Sequence, residues 1–379
     1  MFTATSPGKV IDLANRSFVE LSSFTVDAAG NPNAYQGIYA SRGIGHYIHD
    51  MGVVSLSSSD WGPHGILFNR DVTDSVISGN VIANVFGASG AGIRMAWRSS
   101  RNIIVGNTIS STTRGGILCN DDCVDLEIRK NTVSGPGEER LGIEVWGRCH
   151  RAVIEDNRID HWLSVDSSSF CAVRRNTIED DLGLYRFAGL ELVAAWYCVF
   201  TDNVNNGGSR VGISISNTPA KQYAYWGYNT ITGASTWGVQ VQGDTGGAAY
   251  QYFYRNMFSG TFRNIPESWY TNQGHGFRFN GNCRHIVLAE NRIIANQGDG
   301  IQFTGTGIDQ LCFTGNEISS NAYSSVNTDP AAADLEWSGN TVLRNQTNTQ
   351  LSSRGYMNNQ APVAEFWWST PAVAGLPVT

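Results

Sequence analysis

Residues 92–109 read GIRMAWRSSRNIIVGNTI, and residues 116–133 read GILCNDDCVDLEIRKNTV. Set one above the other, they match Gly92 to Gly116 and Asn107 to Asn131, 24 residues on. Each opens Gly, apolar, x, apolar, x, the alternation of a strand with one face inward. Each closes on a short apolar stretch, then Asn, x, apolar, and no helical period runs between the two signatures.

The closing signature recurs at Asn80, Asn107, Asn131, Asn157, Asn176, Asn203, Asn229, Asn256, Asn291, Asn316 and Asn340, which is 260 residues in ten steps, a mean of 26. The opening one recurs at Gly37, Gly65, Gly92, Gly116, Gly142, Gly189, Gly212, Gly238, Gly276 and Gly300. From its first apolar residue to the next Asn is 13 to 17 residues, whereas the return from Asn to the next strand varies from 6 to 21. One side of each turn is therefore fixed and the other takes the insertions. Such a period marks a solenoid. The Asn suits a bend, because it tolerates the left-handed region and its amide can bond the Asn of the next turn.

This pattern resembles the parallel β-helix repeats of the pectate-lyase-like superfamily over roughly residues 15 to 345. The resemblance implies an all-β, right-handed, single-stranded parallel β-helix of about 11–12 coils over 1–345. Residues 346–379 break the repeat and carry Phe366-Trp367-Trp368, which reads as a C-terminal cap or oligomerisation tail. The first coil begins with no capping helix ahead of it, which predicts that an N-terminal segment is missing or that a neighbouring subunit covers the edge.

Composition narrows the function classes. Charged residues are 16% of the chain, only three are Lys, and the net charge is −7, a poor footprint for nucleic acid. No apolar run is long enough to span a membrane. The start, MFTATSPG, has no basic segment followed by an apolar one, so secretion by a leader is not written in these residues. The expected setting is extracellular or virion-associated. Seven cysteines at these spacings read as buried, reduced thiols and not as a zinc site, and no cofactor is expected.

Stacking puts equivalent residues about 4.8 Å apart. The outward positions of the Gly-initiated strand then form two rows. The first is Tyr39, Leu67, Arg94, Leu118, Glu144, Ser164, Glu191, Ser214, Gln240, Arg278 and Gln302. The second includes Asn69, Ala96, Asn120, Trp146, Asp166, Gln242, Asn280 and Thr304. Amides, arginines, acids and indoles in a line suit a polysaccharide, whose hydroxyls take bidentate polar partners and whose rings stack on aromatic faces.

Breaking a glycosidic bond takes two carboxyls flanking it. Glu144 and Glu191, about 9 to 10 Å apart if two coils separate them, with Asp166 between, are the expected catalytic groups of a glycoside hydrolase-type enzyme. Arg94, Trp97, Asn120, Asp122, Trp146, Gln240, Gln242 and Arg278 are the expected substrate contacts. Arg94, Arg98 and Arg278 could fork onto a carboxylate or sulfate. Asp121, Asp180, Asp181 and Asp60 beside Trp61 are further acids near the strand ends, and Trp226, Trp237 and Trp269 are expected near a groove wall. The alternatives are a lyase or epimerase on a uronate polymer, as the superfamily implies, and a non-cutting glycan-binding tailspike, a homotrimer.

Overall fold

The computed structural model describes residues 2–3 and 8–348, less 30, 32, 59–61, 136–140, 180–185, 208, 217–222, 263–272 and 328–332. The tail expected to form a cap lies almost wholly outside them, as do Asp60, Trp61, Asp180, Asp181 and Trp269. The fold is all-β, a right-handed parallel β-helix of about 11 turns, as the repeat implied. Two compact units divide it, residues 1–172 with 176–178, and residues 173–175 with 179–379.

In the first unit each turn supplies three strands. Ala91–Ala96, Ile103–Val105 and Thr108–Thr112 pair in parallel with Gly115–Asn120, Glu127–Arg129 and Thr132–Ser134 of the next turn. Inward positions fill the core with Ile93, Met95, Ile104 and Ile109, all fully buried. The glycine that opens a strand has a steric reason to be there. A Cβ on Gly92 would come within 2.4 Å of Ile109 and within 2.8 Å of the Gly116 carbonyl oxygen, so the sheet can turn the corner only without one.

The recurring Asn does not occupy the left-handed region itself. The residue before it does: Gly79 (φ 63°), Gly106 (φ 66°), Lys130 (φ 55°) and Asp156 (φ 57°). That residue turns the chain, and the Asn side chain is thereby aimed into the core. In the first unit Asn80, Asn107, Asn131, Asn157 and Asn176 form one line, each Nδ2 donating to the next Oδ1 at 2.8–3.0 Å. The same oxygen accepts the backbone N–H of the preceding Asn, and Nδ2 also reaches a carbonyl such as Ile104 O at 3.0 Å.

The second unit repeats this from Asn203 to Asn340. It adds a further line that the repeat analysis did not find, Asn296, Asn321, Asn345 and Asn348. Its core is aromatic, with Phe200, Trp226 and Phe253 stacked on one another. Trp226, expected near a groove wall, is fully buried in that stack.

Replacing Asn131 by Ala strands the Asn107 N–H, its amide and the Ile104 carbonyl inside the core. At 1–3 kcal/mol for each unmet buried group, the expected loss is on the order of 3 kcal/mol or more, read as a lowered urea midpoint.

Candidate functional site

The strands His64–Asn69, Ala91–Ala96, Gly115–Asn120, Leu141–Trp146 and Trp162–Asp166 lie side by side in the first unit. Their register sets Leu67, Arg94, Leu118, Glu144 and Ser164 in one row, and Asn69, Ala96, Asn120, Trp146 and Asp166 in the next. The rows are as expected, but the first is not an open face. Ala91, Leu118 and Leu141 pack together there, with Trp162 laid against them, so Leu118 and Ser164 are buried and Arg94 and Glu144 are half-buried. Trp162 is thus engaged in packing, while Trp97 and Trp146 stay open at 47% and 42% exposure.

On this recessed floor the polar groups meet. Arg94 Nε donates to Asn120 Oδ1 at 2.9 Å, and its terminal nitrogen lies 3.5 Å from His64 Nε2. Burial, aided by the neighbouring guanidinium, pushes His64 down to about 3, so the ring is neutral. The Asn120 amide donates in turn to Asp121. Arg114 reaches Glu144 Oε2 at 3.4 Å.

Burial pushes the Glu144 carboxyl above its ordinary value. Arg114 and Arg94 pull it back, and Asp166 adds to the rise. Asp166 is raised by its own burial, which the Ser167 hydroxyl, donating at 2.7 Å, offsets. Glu144 and Asp166 stand on adjacent strands two positions apart along them. Their backbone separation is therefore about 8 Å, from strand spacing and rise. Two carboxyls on one face are thus each biased toward the protonated form.

Other expected residues are placed elsewhere. Asp122 and Arg98 sit in left-handed turn positions after their strands. Both oxygens of Asp122 accept from Arg148, at 2.6 and 2.8 Å, and Arg98 forks onto Asp71 at 2.8 and 3.0 Å. These exposed pairs, with Arg101–Asp74 and Arg151–Asp125, link successive turns and leave neither Asp122 nor Arg98 a vacant charge. Glu191 belongs to the second unit. There it leads a row through Ser214, Gln240, Arg278 and Gln302. Gln240 donates to Gln242 at 3.3 Å, and Arg278 lies over the Trp237 ring, 4.3 Å from its centre. Arg114 and Ser167 escaped the sequence reading because they lie outside the two rows that the repeat defines, whereas His64 was singled out there only as a neighbour of Asp60.

All seven cysteines are free thiols, and all but Cys312 are buried. Cys123 and Cys149 donate to the carbonyls of Asn120 and Trp146, at 3.2 and 3.0 Å.

A family model described as periplasmic copper-binding protein (NosD) matches residues 22–162 and 74–268. The chain belongs to this family. No curated protein sequence matches it. Among solved structures it is similar to the periplasmic alginate epimerase AlgG, at 14% identity and TM-score 0.50, over 91% of this chain and 80% of that one. It is also similar to a hyperthermoactive exopolygalacturonase from Thermotoga maritima, at 12% identity and TM-score 0.51, over 83% and 85%. Likeness at these identities establishes the shared fold. The narrower family membership was not legible from the repeat, which many unrelated β-helices carry.

The acid shifts make a stability prediction. A carboxyl whose folded pKa is raised binds its proton more tightly folded than unfolded, so its ionisation weakens the fold as pH rises through that window. Glu144→Gln removes the cost, and its melting temperature should exceed that of the parent at pH 8 by more than at pH 4. An equal difference at both pH values would count against a perturbed Glu144.

Proposed function

We propose that the chain acts on a polysaccharide or oligosaccharide and cleaves a glycosidic bond at the floor of the first unit. Glu144 is the proton donor in this reading, and Asp166 is the base or nucleophile. The observation that carries it is the Glu144–Asp166 pair, recessed, on one face and at a spacing that leaves room for a scissile bond. The Ser167 hydroxyl works against the burial that raises Asp166, and an ionised Asp166 in turn raises Glu144 and helps to keep its proton. Arg94 and Asn120 would hold substrate hydroxyls, and Trp97 and Trp146 offer exposed rings at the edge. The names of the two similar structures, an alginate epimerase and an exopolygalacturonase, support a glycan as substrate. The family description names the periplasm, which supports action outside the cytoplasm.

The family description also names copper, and the residues present do not fit it. Among the described residues no three His, Cys, Asp or Glu side chains converge as an ion would need. The thiols are core groups: a hydrogen bond with Cys123 and burial raise the pKa of Cys149, and burial raises that of Cys119, so the thiolate that ligates copper is opposed.

A second reading, lyase or epimerase action on a uronate, is favoured by Arg94, a half-buried guanidinium on the same face as Glu144. A panel of neutral and acidic polysaccharides separates the two, because hydrolysis releases reducing ends alone, elimination adds an absorbing unsaturated product, and epimerisation leaves the chain uncut and changes only its uronate composition. For hydrolysis, Glu144→Gln and Asp166→Asn should each cut turnover by on the order of 10²- to 10⁴-fold, and Glu144→Gln should abolish the alkaline limb of the pH profile. Intact turnover in both variants sinks the assignment.

A further inference from the structure

The second unit buries a row of side chains that point away from its core. In the strands Cys198–Thr201, Ala224–Gly227, Trp237–Tyr254, His275–Ala289 and Asp309–Thr314, register sets Phe200, Trp226, Phe253, Leu288 and Phe313 in one line, all fully buried in the interior. Their neighbours Val199, Tyr225, Tyr252, Val287 and Cys312 form the adjacent line, and they face outward because alternate residues of a strand take opposite faces. Yet Val199 is 8% exposed, Tyr225 and Tyr252 are 9%, and Val287 is 2%. Burial raises the Tyr225 phenol and pushes that of Tyr252 up to about 12. The matching row of the first unit, Ile103, Glu127 and Val153, has no buried member.

A second layer must lie over that row. Tyr223 and Tyr254 pack against it, but each stands two positions along the same strands, and side chains on a strand rise roughly perpendicular to the sheet, so they border the row and do not roof it. Every described strand is a rung of the coil itself, so no described strand crosses this face. Of the stretches outside the described residues, 217–222 (NTPAKQ) and 328–332 (TDPAA) have no large apolar side chain, and 263–272 enters between the third strand of one coil and the first of the next, a corner the row does not adjoin. Residues 349–379 are different. From 361 on they read APVAEFWWSTPAVAGLPVT, with Glu365 the one charged residue and prolines at 362, 371 and 377 that favour an extended chain.

We propose that the chain's own C-terminal segment, residues 361–379, docks along the outward row Val199, Tyr225, Tyr252, Val287 and Cys312, with Phe366, Trp367 and Trp368 as its anchors. An extended proline-bearing segment on a tyrosine-lined face is a recurrent match, in which rings pack on the stiff chain and hydroxyls meet its bare carbonyls. The reach is sufficient. From the strand Ala333–Ser338 back to Val199 is five strand spacings, on the order of 25 Å. Residues 349–365 lead from the last described coil to Phe366 and span roughly 50 Å when extended. Being tethered, the segment meets the row at a high effective concentration. The contact lies within the second unit, to which residues 179–379 belong, and it is independent of the chemistry proposed for Glu144.

Cys312 reports on the cover, because it belongs to the row and is the one thiol of the seven that is not buried. In the full chain its alkylation by N-ethylmaleimide should speed up at least about tenfold when Phe366→Ser, Trp367→Ser and Trp368→Ser are combined, since thiol reactivity follows exposure. Cys312→Ser identifies the modified thiol. Hydrogen exchange of the unaltered chain gives a reading that needs no variant to fold: the amides of 361–379 should exchange at least about tenfold slower than those of the same peptide free in solution. Val287→Asp, which puts a charge in the row without entering the core, should release them, and its melting temperature checks that the coil is intact. An unchanged Cys312 rate, or unprotected amides in 361–379, overturns the proposal. Protection that survives Val287→Asp overturns the row as the seat of the segment. Protection that vanishes on dilution, together with a dimer or trimer in light scattering, assigns the cover to a second copy and overturns the intramolecular contact.

Discussion

The buried amide-to-amide hydrogen bond between successive turns is the constraint from which the rest of the architecture follows. An Asn side chain in an apolar interior must satisfy an acceptor oxygen and two donor hydrogens, and in the first unit Asn107 and Asn131 do so only because the next turn presents the same group at the same height. A turn that slipped by one residue would leave these groups unmet and send its apolar side chains outward. The ladder therefore sets the register as well as adding stability, and the left-handed residue before each Asn is what points the amide inward.

Register is what makes a site possible on such a scaffold. Glu144 and Asp166 are 22 residues apart in sequence and become neighbours because Leu141–Trp146 and Trp162–Asp166 pair with Glu144 opposite Ser164 and Trp146 opposite Asp166. Their raised pKa values come first from burial. On the same strands Ala91, Leu118 and Leu141 pack together with Trp162, so apolar packing lies outside the helix as well as inside it.

The arginines show the same division of labour. At the turns, Arg98 and Arg148 are matched by an acid of the preceding coil and bind chain to chain. On the recessed strands of the first unit Arg94 donates to the Asn120 amide, and in the second unit Arg278 lies over the Trp237 ring.

Much of this was legible from the letters alone. A period near 26, alternation after each Gly and a buried amide at each Asn admit few solutions, because strands with one apolar face and no helical period must stack on copies of themselves. The two outward rows followed from the same regularity, and with them Glu144 and Asp166. Local spacing said nothing of what lay across the rows. That Asp122 and Arg98 are consumed by ion pairs, that Trp226 is core and that Arg114 reaches Glu144 depend on turns folding back beside strands many residues distant. Burial of the floor likewise depends on which bulky side chains lean over it. A repeat specifies height along the coil, whereas sideways direction, desolvation and charge pairing arise only when all the turns are stacked.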